Sequence, residues 1–489
     1  MGSQGGSRVK GSARPAEGGS PPTGRTAWEA VIGMEVHAHL ATRSKMFCRC
    51  STDYLGAPPN SNVCEVCLGL PGVLPVVNAK AVEHVVRTAL ALGCEVAPHT
   101  KFDRKNYFYP DLPKGYQISQ YDLPIARAGR LHLDGRDVRI TRVHLEEDTG
   151  KLLHTGDALH LAEESLVDLN RSGMPLMEIV SEPDLRSAEE ARDFTVALRA
   201  ILRALGASEA DMEKGQLRAE ANVSVRPAGS SELGVKTELK NINSFRALHR
   251  AVAYEIERQV RELEAGRPVV QETRGWSEAE QRTFSQRSKE YAQDYRYFPE
   301  PDLSPLELDP AWVAELQAGL PELPRERRRR LRQTYGLSEF DAEQLTQERA
   351  TADLFEATVG EGAPAKAAAN WIIGFAPTLD AQRLAELIRL VVEGAINREQ
   401  GVQVLGVAQS GARRPRDIVR ELGLAQVSDE TQLAEVVERV LAENPQAAAD
   451  FRAGKQQAIG ALLARVKEAT GGRANMKVAS GMLRERLIR

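Results

Sequence analysis

Three adjacent acidic residues, Glu146, Glu147 and Asp148, lie in the stretch around which the candidate chemistry of this sequence is organised. Carboxylates that converge away from water repel one another, and a bound cation removes that cost. Their oxygens suit Mg²⁺, which usually rests on one or two protein carboxylates together with a nucleotide phosphate. The simpler interpretation is an acidic turn at the end of a solvated strand, because runs of charge usually face solvent.

The acidic residues follow a stretch with the alternation of a β-strand. Val143 and Leu145 point one way, whereas Arg142, His144 and Glu146 point the other. An earlier predicted strand, over residues 31–40, carries a second set of polar groups on one face.

On that earlier strand Glu35, His37 and His39 share a face by the period of two. A glutamate and a histidine two residues apart form a candidate metal or general-base pair. An ordinary half-exposed strand explains the same pattern equally well. Glu178 is a third candidate, since a lone carboxylate in an apolar strand must reach a partner or face a cleft.

Four of the five cysteines form two close pairs, Cys48 with Cys50 and Cys64 with Cys67, separated by thirteen residues. Each pair can donate two thiolates from a tight turn, so the spacing predicts a tetrahedral structural Zn²⁺ site. Cys94 stands apart and is expected to be a small buried apolar residue.

Residues 101–120 interleave cations with aromatic rings and two prolines, which argue against a regular helix. Such a loop can hold a phosphate and stack a base, and Arg104 and Lys105 are the candidate phosphate contacts. The alternative is an aromatic loop packed on the core with its cations in water. Residues 216–226 alternate regularly and predict a strand whose polar face is either the floor of a cleft or solvated.

Length and charge set wider limits. The chain has 489 residues and a net charge of -4, which predicts several domains and excludes a histone-like polycation. No apolar run is long enough for a transmembrane helix, and the Gly- and Ser-rich start lacks the core of a signal peptide. We therefore expect a cytoplasmic protein without membrane association, with a disordered tail at residues 1–26.

Taken together, these stretches resemble the B subunit family of the aspartyl/glutamyl-tRNA(Asn/Gln) amidotransferases (GatB). The most specific matches are LVDLNRSGMPLMEIV at 166–180 and DYRYFPEPD at 294–302. The resemblance extends through most of residues 28–302 in the order of the family, and more weakly through the remainder.

The expected fold is α+β. Residues 27–305 would form a catalytic domain, an antiparallel-sheet cradle with flanking helices and the zinc-binding insertion at 48–67. Residues 306–410 would form an all-α helical domain. Residues 411–489, with 14 Lys and Arg against 10 Asp and Glu, would form a small helical tail domain that binds tRNA.

The resemblance implies an activity that no motif here discloses alone. The family uses ATP to phosphorylate the side-chain carboxylate of misacylated Glu-tRNA(Gln) or Asp-tRNA(Asn), after which ammonia displaces the phosphate. The resemblance also implies that the Mg²⁺/ATP pocket is formed by Glu35, His37, Lys105, Glu146 and Glu147. In that assignment Glu35, His37, Glu146 and Glu147 serve the metal, Lys105 and Arg104 serve the phosphate, and Glu178 is a further cofactor contact. The P-loop pattern G-x-x-x-x-G-K-[ST] is absent, so ATP would lie in another cradle.

The resemblance also implies partners, because no glutamine-hydrolysing signature is present in this sequence. Ammonia would come from an amidase A subunit, joined by a small C subunit in a heterotrimer, and the cognate aminoacyl-tRNA synthetase is a further candidate partner. Two alternatives stay open at this point: a non-catalytic scaffold that presents tRNA, and a zinc-ribbon RNA-binding module without ATP chemistry.

Overall fold

The computed structural model describes residues 27–154, 164–288, 294–424, 430–453, 455–471, 474 and 476–488. The expected disordered tail at 1–26 lies outside these residues. The described residues have a mixed α+β fold, as predicted, and divide into two compact units. The first contains the described residues up to Met34, Pro183–Arg192 and 220–288. The second contains Glu35–Glu182, Asp193–Ala219 and the described residues from 294 onward.

The strands lie almost entirely in the first 300 residues. They are β1 (Trp28–His39), β2 (Glu95–Val96), β3 (His99–Thr100), β4 (Asp103–Asn106), β5 (Tyr116–Ser119), β6 (Ala126–Leu133), β7 (Arg136–Glu147), β8 (Lys151–His154), β9 (Ser165–Asp168), β10 (Pro175–Ser181), β11 (Leu217–Pro227), β12 (Thr237–Lys240), β13 (Glu272–Ser277), β14 (Arg282–Ser288), β15 (Phe298–Pro299) and β16 (Leu306–Glu307).

The described helices are few in the first half of the chain and dominate the second. They are α1 (Glu65–Leu68), α2 (Ala79–Ala91), α3 (Ala188–Ala204), α4 (Phe245–Glu264), α5 (Pro310–Ala318), α6 (Pro324–Tyr335), α7 (Glu339–Thr346), α8 (Arg349–Gly360), α9 (Ala365–Phe375), α10 (Ala381–Val392), α11 (Arg398–Gln409), α12 (Pro415–Glu421), α13 (Glu430–Glu443), α14 (Pro445–Arg452), α15 (Ala458–Ala469) and α16 (Met476–Ile488).

In the first unit the strand order is β14-β13-β12-β11-β1. The predicted antiparallel arrangement is wrong for one pair, since β12 and β13 run parallel. The reason is α4, which lies between them in the chain and carries it back to the starting edge, as a parallel connection requires. The inner face of α4 is buried at Leu248 and Val252.

In the second unit β1, β10, β7, β6 and β2 are neighbours in that order, and each pair is antiparallel. One face of β10 and β7 is apolar, because Met177, Ile179, Val143 and Leu145 are fully buried. The period of two then places the polar residues of the same strands together on the other face.

Helix α2 follows the cysteine-containing segment in the chain. Asn78 caps its first turn by accepting hydrogen bonds from the N–H groups of Lys80 and Ala81. Its apolar face is buried at Val82 and Val85.

From Pro310 onward the described elements are helices, and their buried residues form two separate clusters. One cluster runs from Leu331 to Val419, and the other from Leu433 to Leu487. No helix among the described residues has the length and apolar character that a membrane span requires.

Candidate functional site

A row of three polar residues crosses the strands β1, β10 and β7. His37 lies directly opposite Glu178, and Glu178 lies directly opposite His144. Residues opposite one another in antiparallel strands share a face and have close Cβ atoms. The strand register, and not proximity in sequence, therefore brings these side chains together.

Two further carboxylates extend this row. Glu35 is two residues before His37 on β1, and Glu146 is two residues after His144 on β7, so both project from the same face. We call Glu35, His37, His144, Glu146 and Glu178 the histidine–carboxylate centre.

The centre is built around the carboxylate of Glu178. One Glu178 oxygen lies 3.3 Å from His37 Nε2 and 3.2 Å from His144 Nε2, and the other lies 3.1 Å from Arg142. His37 Nε2 is also 3.5 Å from Glu146 and 3.9 Å from Glu35. Ligand atoms of Glu35, His37 and Glu178 lie within 4.8 Å of one another, as do those of His144, Glu146 and Glu178.

Electrostatics in the centre favour a positive charge between its carboxylates. Burial opposes the charged imidazolium of His144, but Glu178 and Glu146 outweigh it and raise the pKa of His144 to about 9. Burial likewise opposes ionisation of Glu178 and Glu146, yet the nearby cations, His144 foremost, hold the pKa of both carboxyls below their usual values. A protonated imidazole here supplies the compensation that a metal cation would supply.

Lys105 reaches the centre from β4, which belongs to a separate sheet with β5 and β15. Burial lowers the pKa of its ammonium, but the charges of Glu146 and Glu178 raise it by more. The pKa of Lys105 therefore lies above its usual value. The ammonium also lies 5.0 Å from the ring centre of Tyr295. Ser119 of β5 donates a hydrogen bond of 3.1 Å to Glu146.

Glu147 lies outside this centre. It is opposite Pro175 whereas Glu146 is opposite Leu176, so the two neighbouring glutamates project from opposite faces of β7. The carboxylate of Glu147 accepts hydrogen bonds from the Lys114 ammonium and, at 2.9 Å, from the Ile118 N–H. The structure therefore does not bring Glu147 together with Glu35 and His37, because strand alternation separates adjacent residues.

Arg104 is also directed away from the centre. Its guanidinium makes two hydrogen bonds to Glu300, of 2.7 and 2.8 Å, and lies 4.2 Å from the ring centre of Tyr116. Strand alternation on β4 explains the difference from Lys105, since consecutive residues face opposite sides. Lys105 thus faces the carboxylates of the centre whereas Arg104 is held by Glu300, and the phosphate contact of each stays a prediction.

The four paired cysteines converge, as their spacing predicts. Cys67 Sγ lies 3.3 Å from Cys48, 3.7 Å from Cys64 and 3.7 Å from Cys50, and all four are free thiols. Tetrahedral Zn²⁺ with Zn–S bonds of ~2.3 Å places its sulfurs about 3.8 Å apart. Four thiols at this spacing fit such an ion, and we call them the four-cysteine site. Cys94 is buried apart from them, as expected.

The environment of Cys67 favours a thiolate. A hydrogen bond from Cys48 lowers the pKa of Cys67, and the nearby Lys45 ammonium lowers it further against the effect of burial, to about 4. The pKa of Cys48 is raised in turn, first by that same hydrogen bond. A metal ligand must be deprotonated, so at least one of the four thiols is prepared for coordination.

From the sequence, His144 was assigned to no site, and Asp148 only to the acidic run with Glu146 and Glu147. His144 shares its strand face with Glu146, a signal that was present in the alternation of β7. Asp148 is buried and accepts hydrogen bonds from His39, at 2.7 Å, and from Arg218. Nothing local in the sequence indicates that pairing, since His39 is 109 residues away.

The fold and these sites define an α+β protein with a histidine–carboxylate centre on a sheet, a cluster of four cysteines that could hold a metal, and a helical second half. Two family models match it: the "GatB/GatE catalytic domain" over residues 30–314, and the "GatB domain" over residues 353–487. The chain therefore belongs to the GatB family.

Similar proteins cover nearly the whole chain. Those of Thermomicrobium roseum and Moorella thermoacetica are 54% and 52% identical to it, each over 94% of this chain and 99% and 100% of their own length. One from Dehalococcoides mccartyi is 48% identical over 94% of this chain and 99% of its own length. All three are named as the B subunit of an aspartyl/glutamyl-tRNA(Asn/Gln) amidotransferase.

Proposed function

We propose that this chain uses ATP to phosphorylate the side-chain carboxylate of misacylated Glu-tRNA(Gln), Asp-tRNA(Asn) or both, and converts the product to the amide. The observation that carries this proposal is the histidine–carboxylate centre, which lies entirely within the region that matches the catalytic-domain model. The names of the relatives support the substrate class.

The chemistry requires activation because a carboxylate is a poor acyl donor. One side-chain oxygen attacks the γ-phosphorus of ATP and ADP departs, leaving a mixed acyl-phosphate anhydride. Ammonia then attacks the acyl carbon, loses a proton, and phosphate departs with its bonding pair. Phosphoryl transfer depends mainly on positioning and on neutralising the charge of the phosphate oxygens.

Glu35, Glu146 and Glu178 supply oxygen donors that fit Mg²⁺, with His37 as a further ligand. Bound there, the ion would neutralise phosphate charge and orient the transferred group. The Lys105 ammonium would hold a phosphate oxygen, because the carboxylates around it keep it protonated. His37 and His144 each place Nε2 within 3.3 Å of a Glu178 oxygen, and the positive charge of His144 offsets that carboxylate.

The other components follow from the family. The four-cysteine site would hold a structural Zn²⁺, with no part in the chemistry. An amidase A subunit would supply ammonia from glutamine, a small C subunit would join the two chains, and misacylated tRNA would deliver the substrate. The cognate aminoacyl-tRNA synthetase is a candidate for handing over that tRNA.

The test is a reconstitution of this chain with A and C subunits, ATP, glutamine and each misacylated tRNA in turn. ATP turnover and the amide formed are measured together. Glu146→Gln and Glu178→Gln keep the shape of the side chain, remove its charge, and should lower kcat by about 100-fold or more. Zinc content should not change in either variant.

Glu257→Gln is the matched control, since this exposed glutamate belongs to α4 and makes only a long contact with Arg261. It should turn over ATP at the rate of the unmodified chain. Undiminished turnover in Glu146→Gln and Glu178→Gln would refute the assigned centre.

Glu147 provides an internal comparison. Because it projects from the opposite face of β7, Glu147→Gln should leave the Mg²⁺ concentration for half-maximal activity unchanged, whereas Glu146→Gln should raise it. The reverse result would restore Glu147 as the metal ligand.

The same reconstitution separates the alternatives. A tRNA-presenting scaffold would bind misacylated tRNA and show no ATP turnover that depends on it. A zinc-ribbon RNA module would lose RNA binding on zinc removal and never hydrolyse ATP.

A further inference from the structure

Lys45 is a buried cation next to the four-cysteine site. Its side chain is fully buried, which is unusual for an ammonium. The Nζ atom donates to three acceptors: the carbonyl of Asn62 at 2.7 Å, Cys67 Sγ at 3.5 Å and the carbonyl of Leu169 at 3.5 Å.

None of these three acceptors is a carboxylate. A buried ammonium is costly unless it is paired with a negative charge. Among these three acceptors only Cys67 can carry one, as the thiolate that a metal ligand must be. A divalent ion held by four thiolates gives a site with a net charge of -2. The Lys45 ammonium is positive, so the metal-loaded site and the lysine partly neutralise each other.

The three contacts of Lys45 also join separate parts of the chain. Asn62 lies between the two cysteine pairs, and Leu169 lies in the connection from β9 to β10, the strand that carries Glu178. Two further hydrogen bonds follow the same path: the N–H of Asn62 to the Asn170 side chain at 2.7 Å, and the N–H of Met46 to the Gly173 carbonyl at 2.8 Å.

We propose that Lys45 is a positioning residue of the metal site, whose ammonium is the hydrogen-bonded counter-charge of the Cys67 thiolate and holds the cysteine loop against the connection leading into β10. The inference rests on the proposed Zn²⁺ site. It adds an outer partner to the four ligands, and such partners orient a ligand and tune its bond to the metal.

The test replaces Lys45 by methionine, which keeps the length of the side chain and removes its charge and donors. Zinc affinity of the full chain is measured by competition with a chromophoric chelator. We expect Lys45→Met to bind Zn²⁺ ~10–100-fold more weakly than the unmodified chain. Lys80→Met is the matched control, because Lys80 is half exposed and pairs with Glu83, and its affinity should not change.

A second measurement reports on the thiolate itself. In the Co²⁺-loaded chain, the thiolate-to-metal charge-transfer absorption should move to lower energy in Lys45→Met, because an electron leaves a thiolate more easily once its hydrogen-bond donor is gone. A lysine that merely filled space would leave this band in place.

The outcomes are distinct. If the unmodified chain binds no Zn²⁺ or Co²⁺, the proposed metal site fails. If it binds them and Lys45→Met matches it in both affinity and absorption, the role of Lys45 is overturned. Should Lys45→Met not fold, Lys45→Gln retains a donor without the charge and should still weaken Zn²⁺ binding. An unchanged affinity in that variant equally overturns the inference.

Discussion

At the scale of residues, the positions of the side chains in the histidine–carboxylate centre balance its negative charges with nearby cations. Glu178 is buried and would repel Glu146, yet two imidazoles and a guanidinium lie within 3.3 Å of its oxygens. These contacts keep both carboxylates ionised at neutral pH, the state that metal binding needs.

The raised pKa of His144 predicts how stability depends on pH in Mg²⁺-free buffer. A histidine whose pKa rises from 6.5 to about 9 on folding stabilises the protein fully below pH 6.5. That contribution, on the order of 2–3 kcal/mol, is lost as the pH rises through 9. Urea unfolding at pH 6.5 and pH 9 should show the loss, and in Glu178→Gln the loss should shrink.

His132 provides the control for this measurement. It is an exposed histidine that contacts Asp137, so His132→Gln should keep the full pH dependence of the unmodified chain. An equally steep loss of stability in Glu178→Gln would show that Glu178 does not set the pKa of His144.

Sequence alone predicted several residues of the centre but not its shape. The alternation on β1 and β7 correctly paired Glu35 with His37 and His144 with Glu146 on common faces. Glu178 was expected to need a partner, but its central place depends on β10 lying between β1 and β7, which no local pattern states. The same alternation, applied strictly, separates Glu147 from Glu146, whereas the family resemblance had placed both in one pocket.

At the scale of elements, β7 and α2 show how local rules position the sites. β7 ends with Glu146 and Glu147, which contact different groups because they project from opposite faces of the strand. Asn78 is the N-cap of helix α2, and its side chain also donates to the carbonyls of Ser44 at 2.9 Å and Lys45 at 3.2 Å. One residue thus ties the first turn of α2 to the segment that precedes the cysteines.

This double role predicts that Asn78→Ala is more damaging than an ordinary cap removal. Loss of a cap costs about 1 kcal/mol, and leaving the two carbonyls without their donor adds ~1–2 kcal/mol. Hydrogen exchange of the α2 amides, followed by mass spectrometry, should show the summed decrease in opening free energy. The exchange of the Ser44–Met46 segment should rise as well.

The matched comparison is Ser244→Ala. Ser244 caps α4, because its side chain accepts a hydrogen bond from the Ala247 N–H at 3.1 Å. Its removal should weaken α4 by only about 1 kcal/mol. Equal losses in the two helices would mean that the donor side of Asn78 contributes nothing.

At the scale of the whole chain, sequence patterns predicted the change from a strand-rich to a helical part, because helical periodicity replaces alternation after residue 302. The parallel pair β12–β13 was missed because two short strands carry no signal of direction. Domain boundaries are equally hard to infer, since they depend on which helices share a core.

The C-terminal helices show how a domain boundary depends on which helices share a core. A boundary at residue 410 would remove α12, yet Ile418 and Val419 of that helix belong to the core that starts at Leu331. The described core after residue 424 begins at Leu433 and uses residues of α13–α16. A chain that ends at Leu424 should therefore keep the first core intact, whereas one that ends at 410 should lose stability there.

This division predicts the effect of removing the tail on the proposed reaction. Residues 425–489, which a chain ending at Leu424 lacks, hold 10 Lys and Arg against 8 Asp and Glu, in a chain with a net charge of -4. Favourable contacts with the phosphates of tRNA should therefore be concentrated there. In the reconstituted amidotransferase, the chain that ends at Leu424 should show a KM for misacylated tRNA raised by about tenfold or more at moderate salt.

The KM for ATP in that truncated chain should stay unchanged, because the histidine–carboxylate centre and Lys105 lie far earlier in the sequence and do not draw on the tail core. The dependence of tRNA affinity on salt should also become shallower, since fewer counterions are released when fewer phosphates are contacted. A truncated chain with the KM and salt dependence of the full chain would show that the tail does not bind tRNA. The electrostatic attraction would then have to come from cations elsewhere in the chain or from the partner subunits.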